Sequence, residues 1–154
     1  MRFILHRFIA ALAVAAPLAT LGAPPDACSL ISLQDVNLIA DGAATKVVPQ
    51  KSGNPSSCAY NDGKQGAVLV VSIREVQFAA VNELQYEREN NEKIYRAKAK
   101  PVEVLGDQAF WLQPNKLLMF RKGKMLVSVT FARAQNANEI DSAKAARVVE
   151  SNLK

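Results

Sequence analysis

The side chains richest in chemistry along this 154-residue chain are two cysteines, Cys28 and Cys58, and a single histidine, His6. His6 sits inside a segment that reads as an export signal. Arg2 and Arg7 lead into an apolar run from Phe8 to Ala16, followed by a small-residue stretch at Thr20, Gly22 and Ala23. Cleavage after Gly22 is expected, giving 1–22 as signal peptide and 23–154 as the exported domain. The apolar run is too short to cross a hydrocarbon layer of ~30 Å and Pro17 interrupts it, which argues against a membrane anchor. Pro25, Asp26 and Ala27 ahead of Cys28 are not a lipidation signal.

Processing therefore leaves a domain without imidazole, the commonest general base and metal ligand. Ser-His-Asp and Cys-His nucleophile arrangements are excluded, and no Ser-Lys motif replaces them. Glu75, Glu103 and Asp107 could converge as a carboxylate pair for glycoside hydrolysis, but nothing in their spacing asks for it. Cys28 and Cys58 lack the Cys-x-x-Cys spacing of redox dithiols, and in an oxidising compartment they are expected to pair structurally. A loop of about 30 residues closed this way contributes roughly 3–4 kcal/mol by restricting the unfolded chain. A redox-active pair is the other reading. With the thiols oxidised and no acidic calcium loop, the expectation is a protein that is not an enzyme and holds neither cofactor nor metal.

Charge narrows the partners. Once Arg2 and Arg7 are removed from the 19 Lys and Arg, 17 remain against 14 Asp and Glu, a net charge of +3. That permits attraction to anionic lipid, polysaccharide or an acidic protein, but it is no nucleic-acid signature.

The elements that must position these residues fit one domain. Ser32 with Asp35 forms a capping-box start, Ile31 and Val36 a hydrophobic staple, and Leu33, Val36, Ile39 and Ala40 one helical face closed by Gly42. Strands are expected over 45–49 and 57–61. The run 67–73, almost continuously apolar and rich in β-branched residues, reads as a central strand covered on both faces. A second helix is expected over 77–91, with Phe78, Val81 and Leu84 in its apolar stripe. Strands then follow over 97–104, where Pro101 marks an edge or a bulge, over 108–112, over 116–120 and over 125–131. Gly123 supplies the positive φ of the last hairpin. Asn138 caps a third helix whose apolar stripe is read as Ile140, Ala143, Ala146, Val149 and Leu153. The fold class is α+β: a single-domain layered sandwich, an antiparallel sheet of about six to seven strands with two to three packing helices, in the order α-β-β-β-α-β-β-β-β-α.

Three blocks in this order, Cys28-Ser29-Leu30, Cys58-Ala59-Tyr60 and Leu105-Gly106-Asp107-Gln108-Ala109-Phe110, resemble small exported bacterial domains, mostly uncharacterised, whose fold is similar to the photosystem extrinsic protein PsbP. The resemblance runs from Cys28 to the C-terminus. It implies a layered α/β sandwich and a binding or accessory role, and it carries over no catalytic residue. Unlike the lipoproteins among those domains, this chain lacks a lipidation site.

Four local constellations remain. Gly106 and Asp107 are expected to form a structural turn, Gly106 by an unusual backbone angle and Asp107 by bonding an amide two residues on; a ligand-binding carboxylate is the other reading. Phe110 and Trp111, adjacent in a strand, must point to opposite faces, so both are core if both faces are covered and one is a contact anchor if a face is open. Lys93, Arg96, Lys98 and Lys100 form one basic group, the last three sharing a parity if extended. The hairpin tip gathers Arg121, Lys122 and Lys124, with Arg133 nearby. Such charges either protect sheet edges from pairing or form a basic patch for an anionic partner. The binding surface expected is Trp111, Arg96, Lys98, Lys100, Arg121, Lys122 and Lys124. The functional expectation is a non-catalytic periplasmic or secreted binding module for a protein or cell-envelope component. The alternatives are an inhibitor or immunity-type protein blocking a secreted enzyme or toxin, and a carrier of a small apolar ligand.

Overall fold

The chain enters its first helix, α1 (Leu33–Ile39), through a full capping box: Ser32 Oγ accepts the Asp35 N–H at 3.1 Å and the Asp35 carboxylate accepts the Ser32 N–H at 3.4 Å. The last helix, α3 (Glu139–Ser151), begins the same way, with Asn138 Oδ1 accepting from Ile140 and Asp141 and the Asp141 carboxylate accepting from Asn138. Each cap satisfies backbone donors that would otherwise be orphaned at a helix start. The computed structural model describes residues 23–64, 66–76, 80–132 and 137–153; the export signal read over 1–22, together with Phe78 and Arg133, lies outside them, as does the side chain of Val81.

Between these helices run β1 (Lys46–Lys51), β2 (Ser56–Asn61), β3 (Ala67–Glu75), α2 (Ala80–Tyr95), β4 (Lys100–Pro101), β5 (Gln108–Leu112), β6 (Leu117–Lys122) and β7 (Met125–Phe131). The strands form one antiparallel sheet ordered β1-β2-β3-β7-β6-β5-β4. This is the α+β layered architecture expected, with seven strands and three helices in the expected order. Consecutive strands are neighbours except at the centre, where β3 pairs with β7 over seven residues, from Leu69 opposite Phe131 to Glu75 opposite Met125. That single ladder joins the two halves of the chain.

The register makes the two faces of the sheet unlike one another. On one face, Trp111, Leu118, Val129, Val71 and Cys58 lie opposite one another across five strands, a row apolar from end to end. It is covered by α1, α3 and a 3-10 turn at Ala27–Ser29, with Val36, Ala145, Ala146, Val149 and Ala27 fully buried against it. The neighbouring row on the other face reads Phe110, Met119, Ser128, Ser72 and Ser57. It is apolar only on β5 and β6, and there α2 packs through Leu84 onto Phe110, Leu112, Leu117 and Leu126. Because burying unpaired hydroxyls costs free energy, the serine half of that face gives a helix little to dock on. The central strand accordingly differs from its sequence reading. Leu69, Val71 and Ile73 are buried, but Val70 and Ser72 on the α2 side are only half-buried.

Two other elements depart from expectation. The strand over 97–104 shrinks to the two residues of β4, because Pro101 offers no N–H and Arg96 and Val104 adopt left-handed φ values of 50° and 58° on either side. In α3, Ile140 points outward at 64% exposure, while Ser142, Ala145, Ala146 and Val149 are buried. A spacing of three residues drifts by about 60° per step on an α-helix, so a row begun at Ile140 faces the wrong way by Val149.

Candidate functional site

The turn at Gly106 and Asp107 is held by contacts distant in sequence. The Asp107 N–H donates to Arg121 O at 2.7 Å, and its carboxylate accepts the Gly123 N–H at 2.9 Å and pairs with the Arg121 guanidinium at 2.7 Å. Asp107 thus clamps the β6–β7 hairpin instead of bonding an amide two residues on. Gly106, at φ 57°, passes so close to that hairpin that a Cβ would stand 2.2 Å from Arg121 O. Its N–H donates to the Glu150 carboxylate at 3.0 Å. Lys122 reaches the other way and donates from Nζ to Glu150 O at 2.9 Å and Leu153 O at 3.4 Å, capping the C-terminus of α3. Gly123 has the positive φ, 59°, that its hairpin needs.

These bonds engage two of the basic residues expected to form a patch at the hairpin tip. Arg121 and Lys122 are committed to the protein's own turn and helix end, leaving exposed Lys124. The second basic group does not share a face either, since Lys93 lies on α2, Arg96 in the left-handed turn after it, and only Lys100 in a strand. Lys98 pairs with Glu92 at 3.1 Å, and Lys100 approaches Glu139 of α3 at 4.0 Å. Glu92 organises this turn, accepting the Ala99 N–H at 2.9 Å. That backbone donor first, and the Lys98 ammonium second, lower its carboxyl pKa below the ordinary glutamate value.

Phe110 and Trp111 point to opposite faces and each is 3% exposed, so both rings are core: Phe110 under α2, Trp111 under the α1 and α3 layer. Trp111 lines a cleft of about 380 Å³ with Lys98, Lys100, Gln113 and Pro114. No carboxylate lines this cleft, and Arg96 lies in a separate one of about 360 Å³ with Glu89, Glu92 and Lys93. Of the three carboxylates drawn from the sequence, Asp107 is paired with Arg121, Glu75 ends β3 opposite Met125, and Glu103 stands exposed in the loop after β4. Among the described residues no three His, Cys, Asp or Glu side chains gather as a metal site.

At the N-terminal end, Cys28 and Cys58 form a disulfide, their Cα atoms 5.0 Å apart. The pairing is of the kind oxidising, non-cytoplasmic compartments sustain. It is reinforced by the Ala27 N–H donating to Ser56 Oγ at 2.9 Å and by the buried Tyr60 hydroxyl donating to Ile31 O. Burial first, then the nearby Asp26 and Asp35 charges, push the Tyr60 phenol up to about 12. No described helix is long and apolar enough to cross a membrane.

A third cleft, of about 400 Å³, opens between α2 and the β4–β5 end of the sheet. Leu84 and Phe110, both nearly fully buried, contribute apolar lining, as do Pro101 and Val102 of the edge segment. Gln85, Arg88 and Gln108 supply its polar groups. Arg88 and the two glutamines escaped the sequence reading; the one available signal was that Arg88 stands one helical turn after Leu84, hence on the same side of α2.

No family model and no curated protein matches the sequence. Among solved structures, the chain is similar to the crystal structure of a GTP-binding regulator from Thermotoga maritima, at 11% identity and a TM-score of 0.41, covering 85% of this chain and 94% of that one. A likeness that low carries no functional argument.

Proposed function

We propose that the protein is a non-catalytic binding module, exported to the periplasm or the exterior, that contacts a protein or envelope component through the β4–β5 end of its sheet and the adjoining half of α2. The observation that carries this reading is the gathering of three clefts, of about 360 to 400 Å³ each, at that one end. Elsewhere Asp107, Arg121, Lys122 and Tyr60 are bonded to the protein's own backbone or side chains and act as fasteners. The export-type N-terminus, the Cys28–Cys58 bridge and the resemblance to PsbP-like exported domains support the setting.

A second reading, a carrier of a small apolar ligand, is favoured by the cleft over Leu84 and Phe110, whose size falls in the range of small-molecule sites. The test of the module is capture from envelope extract on immobilised residues 23–154. One stoichiometric partner is expected, lost in the double variant Arg88→Glu, Lys98→Glu and kept in Lys46→Glu, which alters the opposite edge strand. Equal capture by all three proteins overturns the site. Turnover of a substrate, abolished by changing one acidic or hydroxyl side chain, overturns the module itself.

A further inference from the structure

The cleft between α2 and β5 carries one cation and no carboxylate among its lining residues, over an apolar base formed by Leu84 and Phe110. The state of that cation is informative. Glu83 and Glu87 of α2 pair with Arg74 at 3.1 and 2.9 Å, Glu89 accepts from Gln85 Nε2 at 2.9 Å, and Glu92 is taken by Lys98 and the Ala99 N–H. Every one of these carboxylates is engaged by another group, and Arg88 stands exposed with no direct salt bridge among the described residues, its charge acting only at longer range on Glu92 one helical turn on. A guanidinium with no direct hydrogen-bonded partner beside an apolar hollow offers a planar two-donor fork to one carboxylate.

We propose that this cleft binds small amphipathic monocarboxylates, with the apolar tail against Leu84 and Phe110 and the carboxylate on Arg88. The amides of Gln85 and Gln108 are the remaining polar groups of the cleft and suit the head of such a ligand better than its tail. The assignment rests on the carrier reading and narrows it, since a purely apolar ligand would leave Arg88 without a function there. A free fatty acid and the apolar C-terminal residue of a peptide present the same chemistry, and the probes separate them.

Calorimetric titration of residues 23–154 with octanoate, octylamine, octanol and N-acetyl-leucine tests this directly. Octanoate is expected to bind at least tenfold more tightly than octylamine. Arg88→Gln, an exposed substitution that leaves the core intact, is expected to weaken octanoate about tenfold and octanol less than twofold, the difference expected of a charge-assisted contact. Gln85→Trp, also exposed, should block both. Tighter binding of N-acetyl-leucine than octanoate names a peptide end as the source, and the reverse names a free acid. Equal affinity for octanoate and octylamine, or an unchanged octanoate affinity in Arg88→Gln, overturns the assignment. If every probe fails while the envelope partner is still captured through this end, the ligand class falls and the binding module stands.

Discussion

The two faces of the sheet are made from the same strands and differ in how far their apolar rows extend. Under α1 and α3 the row from Trp111 to Cys58 stays apolar across five strands, whereas under α2 the row from Phe110 gives way to Ser128, Ser72 and Ser57 beyond β6. The first face therefore holds the main core, sealed at one end by the disulfide and by the Tyr60 bond to Ile31. The second holds a five-residue satellite core with a cleft at its margin. Under the proposed carrier reading, stability falls to the first side and ligand binding to the second. A surface that must admit a ligand cannot also be packed to the density of an interior.

The sharpest way to break that division is to remove one phenylalanine from each side. Phe120, fully buried under α3, and Phe110, 3% exposed under α2, differ little in burial and greatly in surroundings. Truncating a core phenylalanine to alanine costs about 3–5 kcal/mol where the cavity cannot collapse. Phe120→Ala is expected at or above the top of that range. Phe110→Ala, beside an open cleft that water can enter, is expected to cost about 2–3 kcal/mol. Urea denaturation of the two variants measures the difference, and equal costs would show that the faces are equivalent after all.

How much of this was legible in advance follows from how local each signal is. The capping box at Ser32, the cap at Asn138, the positive φ at Gly123 and the pairing of two lone cysteines are all written in a few neighbouring residues or in a count, and the structure contains them as read. The Asp107 clamp joins positions 107 and 123, and Lys122 reaches residue 150, so no window along the chain contains either bond. The contacts of the basic residues are hidden for the same reason: the partners of Arg121, Lys122 and Lys98 come from other turns, helices and strands, and a count of charges along the chain does not contain them. Arg88 was passed over because a charge on a wide polar helix face looks like any other until its neighbours are seen to be engaged elsewhere.

A smaller effect sharpens the account of the first face. The Tyr60 phenol is held neutral by burial, with its folded pKa of about 12 above the ordinary value of 10. The stability this contributes is fully present below about pH 10 and is lost as pH rises from 10 toward 12, where the unfolded chain ionises more readily than the folded one. The loss expected is on the order of 2 kcal/mol. Tyr60→Phe gives up about 1 kcal/mol at neutral pH with the hydrogen bond to Ile31 and lacks this part of the alkaline decline. Denaturation of both proteins across that window isolates the effect, because other alkaline titrations are common to the two. Parallel curves would mean that Tyr60 ionises as freely in the fold as outside it.

The smallest effect concerns what holds α2 down. Among its described side chains only Leu84 is buried, yet two of its glutamates grip Arg74 at the end of β3 from a partly exposed position. An arrangement of that kind is worth about 0.5–1 kcal/mol at low ionic strength, and much less in about 1 M salt, where charges are screened beyond about 3 Å. Arg74→Gln should therefore destabilise slightly at low salt and not at all at high salt. Hydrogen exchange should quicken along α2 while β2, β3 and β7, paired on both sides, keep their protection. If salt leaves α2 as protected as before in both proteins, the helix is secured by apolar contact and the contrast between the faces is one of extent alone. If α2 loosens with salt, the two faces differ in kind: one is fastened by burial and a covalent bridge, the other by charges that a ligand or a partner's surface could rearrange.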